Sequence, residues 1–445
     1  MTNVPMTLPD LMLAEHRTSF FHSSTFVELD DSRILHAAGT GQCTSEDGGL
    51  AWSDVIHAKD TNGDPVGGSN TCLVKLSDRG IGLAATASGP DKLVPAQRSA
   101  HRHQLFWRSP DRGQTWEPPV QITSPGIVGT GSYQDAMIRT HSGRIVLPMH
   151  MGMGQGSGPN DVKPWGNGKL VRNQWVPTAG HFSDPHFFCV FVAFSDDDGR
   201  TWQYNQDGHL LILRDWSTHY SYVVEPTVTE VKPGRLLMFM RTGLGRHFQA
   251  WSNDNGETWT RPQPTSLAAS TTPAQIGTLP NGHLVCVWNQ ESPEEIRRGY
   301  NRTRLSSAIS RNGGSVWEFF QNVESLHEST RVEPGPIEAV HPEEIHFDPG
   351  QPAPVRNGEY IVGAEVHGRW SYPSMIVLKD RVIIAHTYSG YEDDPTKSQM
   401  IRNMTDKEGN PINQKQKVLP LRWFYGGKEP ADNPFLKEAY EPAKP

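Results

Sequence analysis

The chain has 445 residues, 36% of them hydrophobic, with 42 Gly, 35 Pro and a formal net charge of −8. That acidic balance excludes a general nucleic-acid binder, while leaving room for a local basic pocket around one acidic ligand. No run of 18 apolar residues exists, so no membrane-spanning helix is expected. The cysteines Cys43, Cys72, Cys189 and Cys286 form no CxxC pair and read as buried free thiols rather than a disulfide framework.

The opening stretch, MTNVPMTLPDLMLAEH, has no basic region followed by an apolar one. A cytoplasmic protein is expected, or a secreted or periplasmic one whose signal has been removed. From His22 the pattern becomes repetitive. HSSTFVELDDSRILHAAG reads as a strand, a short turn and a second strand, both apolar and β-branched. An eight-residue turn follows, SEDGGLAW at Ser45–Trp52. The same pair of units then recurs along the chain. Hairpins open at Asn70 (NTCLVKLSDRGIGLAATASG) and Tyr133 (YQDAMIRTHSGRIVLPMHM), with SPDRGQTW between them at Ser109–Trp116. Residues 152–190 interrupt the pattern with a Gly-rich insertion before SDDDGRTW at Ser195–Trp202.

A fourth hairpin opens at Glu225 (EPTVTEVKPGRLLMFMRT) and leads to SNDNGETW at Ser252–Trp259. The fifth opens at Thr272 (TPAQIGTLPNGHLVCVWN) and leads to SRNGGSVW at Ser310–Trp317. A Pro- and Glu-rich insertion over 318–358 precedes the sixth hairpin, YPSMIVLKDRVIIAHTY from Tyr372. KVLPLRWFY, Lys417–Tyr425, is the expected closing strand, and the tail after Gly427 reads as peripheral. Six hairpins with five intervening turns predict an all-β chain. Residues 1–445 would form a single six-bladed β-propeller of four-stranded antiparallel blades, leaving no open sheet edge. In the turns, Asp111, Asp197 and Asp254 are placed to accept backbone N–H groups. Gly113, Gly199 and Gly256 supply positive φ, so these aspartates are structural.

The turn motif is the Asp box. With six hairpins, the chain resembles the sialidase (neuraminidase) superfamily over nearly its whole length. Aligned on their turns, the hairpins put Glu225 and Tyr372 in one register at the mouth of the central funnel. Retaining sialidases resemble this arrangement: a Glu opens the fourth hairpin, an Arg closes it and a Tyr opens the sixth. Here those are Glu225, Arg241 and Tyr372. A family arginine in an R-x-x-L pattern matches Arg302-Thr303-Arg304-Leu305, with neighbouring Arg304 as the alternative.

The resemblance implies an exo-acting glycoside hydrolase that releases a terminal acidic sugar from a glycan. A carboxylate nucleophile would be repelled by a sugar carboxylate on the anomeric carbon. A neutral Tyr372 can attack, with Glu225 drawing off its proton, while Arg241 and Arg302 hold the sugar carboxylate. Two family features are absent. His22-Ser-Ser stands where sialidases open the first hairpin with Arg-Ile-Pro, and the only aspartate before Gly48 in that stretch, Asp47, belongs to a box. Asp135 and His22 are therefore the candidate acid/base groups, and His150 and His247 the candidate sugar ligands.

Two further readings share this residue set. One is a polysaccharide lyase or a glycosidase acting on uronate-containing glycans, and the other a non-catalytic glycan-binding propeller. The pairs His101/His103 and His181/His186 have no third ligand at a diagnostic spacing, so no metal and no other cofactor is expected.

Overall fold

The computed structural model describes residues 11–18, 24–88, 102–123, 130–153, 168–171, 174–177, 187–213, 223–298, 300, 302–325, 327–340, 344, 369–389 and 414–428. Each sequence repeat becomes one antiparallel blade, because each hairpin buries an apolar face only against the next blade. In blade I, Thr25–Glu28, Ile34–Ala38, Gly41–Ser45 and Ile56–His57 pair in order. Blade II uses Ser69–Lys75, Ile81–Ser88, Arg102–Ser109 and Val120–Gln121. The innermost strand of blade III is split into Thr130–Ser132 and Ile138–Arg139, both paired with Ile145–Met153, which continues to Phe187–Ser195 and Gln203–Tyr204.

Blade IV is Val224–Lys232, Arg235–Arg241, Arg246–Ser252 and Gln263–Ala268. Blade V is Ala274–Thr278, Leu284–Asn289, Arg304–Ser310 and Glu318–Ser325. Blade VI contributes Arg369–Val377, Arg381–Ser389 and Gln414–Pro420, with Ala14–Thr18 as its outermost strand. The expected six-bladed propeller is the fold observed.

Two boundaries differ from the sequence reading. The ring is closed by the N-terminal strand: Ala14–Thr18 pairs antiparallel with Gln414–Val418. The expected closing segment Lys417–Tyr425 divides instead into the end of the third strand and a 3-10 turn, Leu421–Tyr425, which buries Trp423, Phe424 and Tyr425. Alternation of apolar residues cannot separate a strand from a short buried turn. The closure is charged: Lys415 and Lys417 both reach Glu324 of blade V, at 3.1 and 3.0 Å, and Glu15 of the N-terminal strand, at 3.8 and 3.6 Å.

The first insertion is shorter than expected, and the second lies further along the chain, between Ser325 and Arg369. Ile145–Met153 and Phe187–Ser195 pair over nine residues, so the first insertion lies between them, and a hairpin of Gly168–Val171 with Gln174–Pro177 lies within it. Glu318–Ser325 is the fourth strand of blade V, so the second insertion begins after it.

Apolar side chains fill the spaces between blades. Val146, Val190 and Val192 of blade III pack on Val228, Leu236 and Met238 of blade IV, for example, and Val285 and Leu305 of blade V pack with Met375 and Ile384 of blade VI. All four cysteines are free and buried. Burial pushes the Cys43 and Cys72 thiols up to about 12, so they are inert core residues.

The boxes form the turns that follow the third strands of blades I to V. In the second box the Ser109 hydroxyl donates to Asp111 and receives the Gly113 N–H, while Asp111 accepts the Thr115 N–H at 2.8 Å. The same bonds recur around Asp197 and Asp254. Two successive residues take positive φ in every box, as at Arg112 and Gly113. Since the first and third strands of a blade run the same way, the boxes lie at the end opposite the starts of the innermost strands. Their aspartates are turn-forming groups remote from the funnel mouth.

Candidate functional site

The innermost strands of blades II, IV and VI begin with the same irregularity. The ladder skips two residues between Ser69 and Cys72, Val224 and Thr227, and Ser371 and Ser374. The first skipped residue is in the left-handed region each time: Asn70 at φ 56°, Glu225 at 45° and Tyr372 at 54°. Asp135 (54°) in blade III and Arg302 (63°) in blade V share that conformation. Left-handed non-glycine residues cost roughly 1–3 kcal/mol each and persist only where surrounding structure holds them, commonly at functional sites. Bulges re-aim side chains, and these turn Glu225 and Tyr372 toward one another.

Arg241, at the end of the second strand of blade IV, is 4% exposed and donates from Nη1 to Glu225 Oε2 at 2.6 Å. The same Nη1 lies 3.4 Å from the Tyr372 hydroxyl, which donates to Glu225 Oε1 at 3.5 Å. Arg302 places its guanidinium 5.1 Å from the Tyr372 ring centroid and donates to Ser371 Oγ at 3.2 Å. Four residues named from sequence, from blades IV, V and VI, thus meet around one phenol. Burial alone would raise the Glu225 carboxyl. The charge and hydrogen bond of Arg241, with His150 and Arg302 further off, outweigh it and bring Glu225 below its ordinary value. Glu225 is therefore a carboxylate at neutral pH, as a proton acceptor must be.

His150 sits in the second strand of blade III, close enough to Glu225 and Arg241 to feel both charges. Burial first, and Arg241 after it, hold its imidazole down to about 4 despite Glu225, so it is neutral near pH 7. Its Nδ1 is buried without a hydrogen-bond partner among the described residues. His247 differs from expectation. It is 1% exposed, stacks on Phe239 with ring centroids 6.1 Å apart, and bonds the Thr272 carbonyl at 2.9 Å. It is a packing residue between blades IV and V rather than a ligand facing the funnel. Arg304 is likewise fully buried and held by Glu295 at 2.8 Å and Ser329 at 3.0 Å, which leaves Arg302 as the arginine beside Tyr372. His22, His101, His181 and His186 lie outside the described residues.

Asp135 reaches the propeller axis, where Oδ1 accepts from Thr25 Oγ1 at 2.7 Å and Oδ2 from the Met375 N–H at 2.8 Å. Burial raises its carboxyl to about 7, against the opposing pull of those bonds. Nothing in the hairpin pattern sets its neighbours Tyr133 and Gln134 apart from ordinary strand residues. Only their contacts across the axis distinguish them.

The BNR repeat-like domain family matches residues 92–384, well over half of the chain. The chain belongs to that family, among the sialidase-like propellers. Solved structures similar to this sialidase-like propeller include the Hadza microbial sialidase Hz136, at 14% identity and a TM-score of 0.52, covering 93% of this chain and 67% of that one. A protein of unknown function from Dyadobacter fermentans is similar at 17% identity and a TM-score of 0.51, covering 92% of this chain and 99% of that one. Trypanosoma rangeli sialidase is similar at 12% identity and a TM-score of 0.51, over 95% of this chain and 58% of the enzyme's length. Identities this low establish the shared fold. A comparison with curated proteins finds no match.

Proposed function

We propose that this propeller is an exo-acting glycoside hydrolase that releases a terminal acidic sugar of the sialic-acid type through a tyrosine nucleophile. The observation that carries this reading is the Tyr372 hydroxyl set between the Glu225 carboxylate at 3.5 Å and the Arg241 guanidinium at 3.4 Å. Tyr372 Oη attacks the anomeric carbon as the glycosidic C–O bond breaks, and Glu225 takes the phenolic proton. The departing oxygen receives a proton from an acid, for which His22 is the sequence candidate. Water then attacks the same carbon, gives a proton back to that acid, and Tyr372 leaves as phenol with the proton returned by Glu225. Arg302, whose Nε has no partner among the described residues, and Arg241 supply the cationic wall for the sugar carboxylate. Neutral His150 is a ligand for a sugar hydroxyl. The similarity in fold to sialidases supports the same class of reaction.

The test is incubation of the protein with sialylated and uronate-bearing oligosaccharides, followed by mass analysis of the products. Release of a terminal acidic sugar with addition of one water is expected. A product lighter by one water with new ultraviolet absorbance would replace hydrolysis by elimination. Binding without any product would leave a glycan-binding propeller.

A further inference from the structure

Among the described residues, blade III is the one blade whose innermost strand is split, and the residues between its halves leave the ladder at the axis. Tyr133 donates from its hydroxyl to the Pro373 carbonyl at 2.7 Å, Gln134 from Nε2 to the Tyr372 carbonyl at 2.9 Å, and Asp135 accepts the Met375 N–H at 2.8 Å. Tyr372 and Pro373 are the two residues that blade VI skips in its ladder. Carbonyls released by the bulge are thus received by side chains from the opposite side of the ring.

The triplet is itself anchored. The Asp135 N–H donates to Thr71 of blade II at 2.9 Å, its carbonyl accepts from Gln275 of blade V at 2.6 Å, and its carboxyl accepts from Thr25 of blade I at 2.7 Å. Tyr133 and Gln134 are each 1% exposed. Burial, with the charge of Glu225 and then Tyr372 beside it, pushes the Tyr133 phenol well above its ordinary value, so it stays a donor.

From this geometry we infer that Tyr133, Gln134 and Asp135 are positioning residues that hold Tyr372 in its left-handed backbone and so aim its hydroxyl at Glu225. The inference rests on the reading of Tyr372 as nucleophile. It also gives Asp135 a role other than acid/base catalysis, since both carboxyl oxygens already serve as acceptors at the axis. An isolated tyrosine at φ 54° relaxes toward negative φ. Three bonds from one rigid segment oppose that relaxation, and misplacing a reacting atom by about 1 Å is enough to cost roughly a hundredfold in rate.

The experiment compares Gln134→Leu and Tyr133→Phe with the parent and with Thr278→Val. The last variant removes a half-buried bond between blades IV and V, Thr278 Oγ1 to the Glu230 carbonyl at 2.8 Å, away from Tyr372. Steady-state turnover of a 4-methylumbelliferyl sialoside is measured, and crystal structures of the two axial variants are determined. Both axial variants are expected to lose about 10- to 100-fold in kcat with KM within about twofold of the parent. Thr278→Val should keep its kcat, and in the axial variants Tyr372 should leave positive φ. Parent-like kcat in both axial variants, or an unmoved Tyr372 in their crystals, would overturn the inference. If the parent itself turns over no sialoside, the hydrolase reading is what fails. The backbone of Tyr372 in the variant crystals then still decides the positioning role.

Discussion

Tyr372 of blade VI and Glu225 of blade IV meet hydroxyl to carboxylate at 3.5 Å although blade V lies between them in the ring. Each lies in left-handed backbone near the start of its innermost strand, each is followed by proline, and each begins a two-residue skip in its ladder. A regular strand would send successive side chains to opposite faces. The bulge frees these two from that alternation and lets both converge on the axis. The contact spans blade V, so it exists only when blades IV, V and VI are all in place.

Replacing Tyr372 with Phe tests the chemistry of that contact alone. The ring keeps its packing beside Tyr133, 6.2 Å between centroids, and beneath Arg302. Stability should change by no more than about 1 kcal/mol, whereas sialoside turnover should fall by roughly 10³-fold or more. Thermal unfolding and kcat measured on one preparation separate the two effects. Parent-like turnover would remove the tyrosine nucleophile.

Arg241 sets the protonation of Glu225. Burial and Arg241 push that carboxyl in opposite directions, and the arginine prevails. Arg241→Gln leaves burial unopposed at close range. The acid limb of the kcat/KM profile, expected below the ordinary glutamate range in the parent, should then move upward by about one pH unit or more. The midpoint of the limb is independent of any overall loss in rate. A limb that stays in place would show that Glu225 is not the base being titrated.

The fold was legible because box and hairpin are local patterns: Ser109, Asp111, Gly113 and Thr115 satisfy one another within seven residues. Glu225, Arg241 and Tyr372 were legible for a related reason, since position in a repeat fixes position in the ring. What sequence left unread was long-range. The N-terminal strand closing blade VI pairs residues about 400 positions apart, such as Ala14 with Val418. Gln134 and Tyr372 likewise touch only after blades III to V have carried the chain to the opposite side of the ring. His247 shows the opposite error, because its nearness to Arg241 in sequence says nothing about which face of the strand it occupies, and its ring lies in the blade body.

Asp135 makes a pH-dependent contribution to stability whose sign is fixed. Its carboxyl titrates at about 7 in the folded chain against 3.8 in a solvated one. Between those values the folded state holds a proton that the unfolded state releases, so this contribution declines as pH rises from about 4 to 7 and then levels. Asp135→Asn imitates the protonated form: its amide can donate to Thr25 and its oxygen can accept from Met375. Denaturant unfolding at several pH values should show the parent losing ground to the variant across that window, by at most about 1.4 kcal/mol per unit. Buried histidines affect both proteins alike and cancel in the difference. Parallel pH profiles would mean that Asp135 is not buried as a neutral acid.

The box glycines differ in how tightly each is pressed against the neighbouring blade, and that gives a graded stability test. Gly113 and Gly199 occupy the same place in two boxes, at φ 91° and 81°, so alanine is strained at both by roughly 1–2 kcal/mol. A Cβ on Gly113 meets Ile81 and Leu35 at 3.5 Å, an ordinary contact, but on Gly199 it falls 2.0 Å from the Phe106 ring. Phe106 is fully buried and edge-packed on Trp202, with centroids 5.1 Å apart, so it has little freedom to withdraw. Gly199→Ala should therefore cost about 1–3 kcal/mol more than Gly113→Ala in equilibrium unfolding. Equal losses would mean that the third box does not press on blade II, and that backbone strain alone governs these turns.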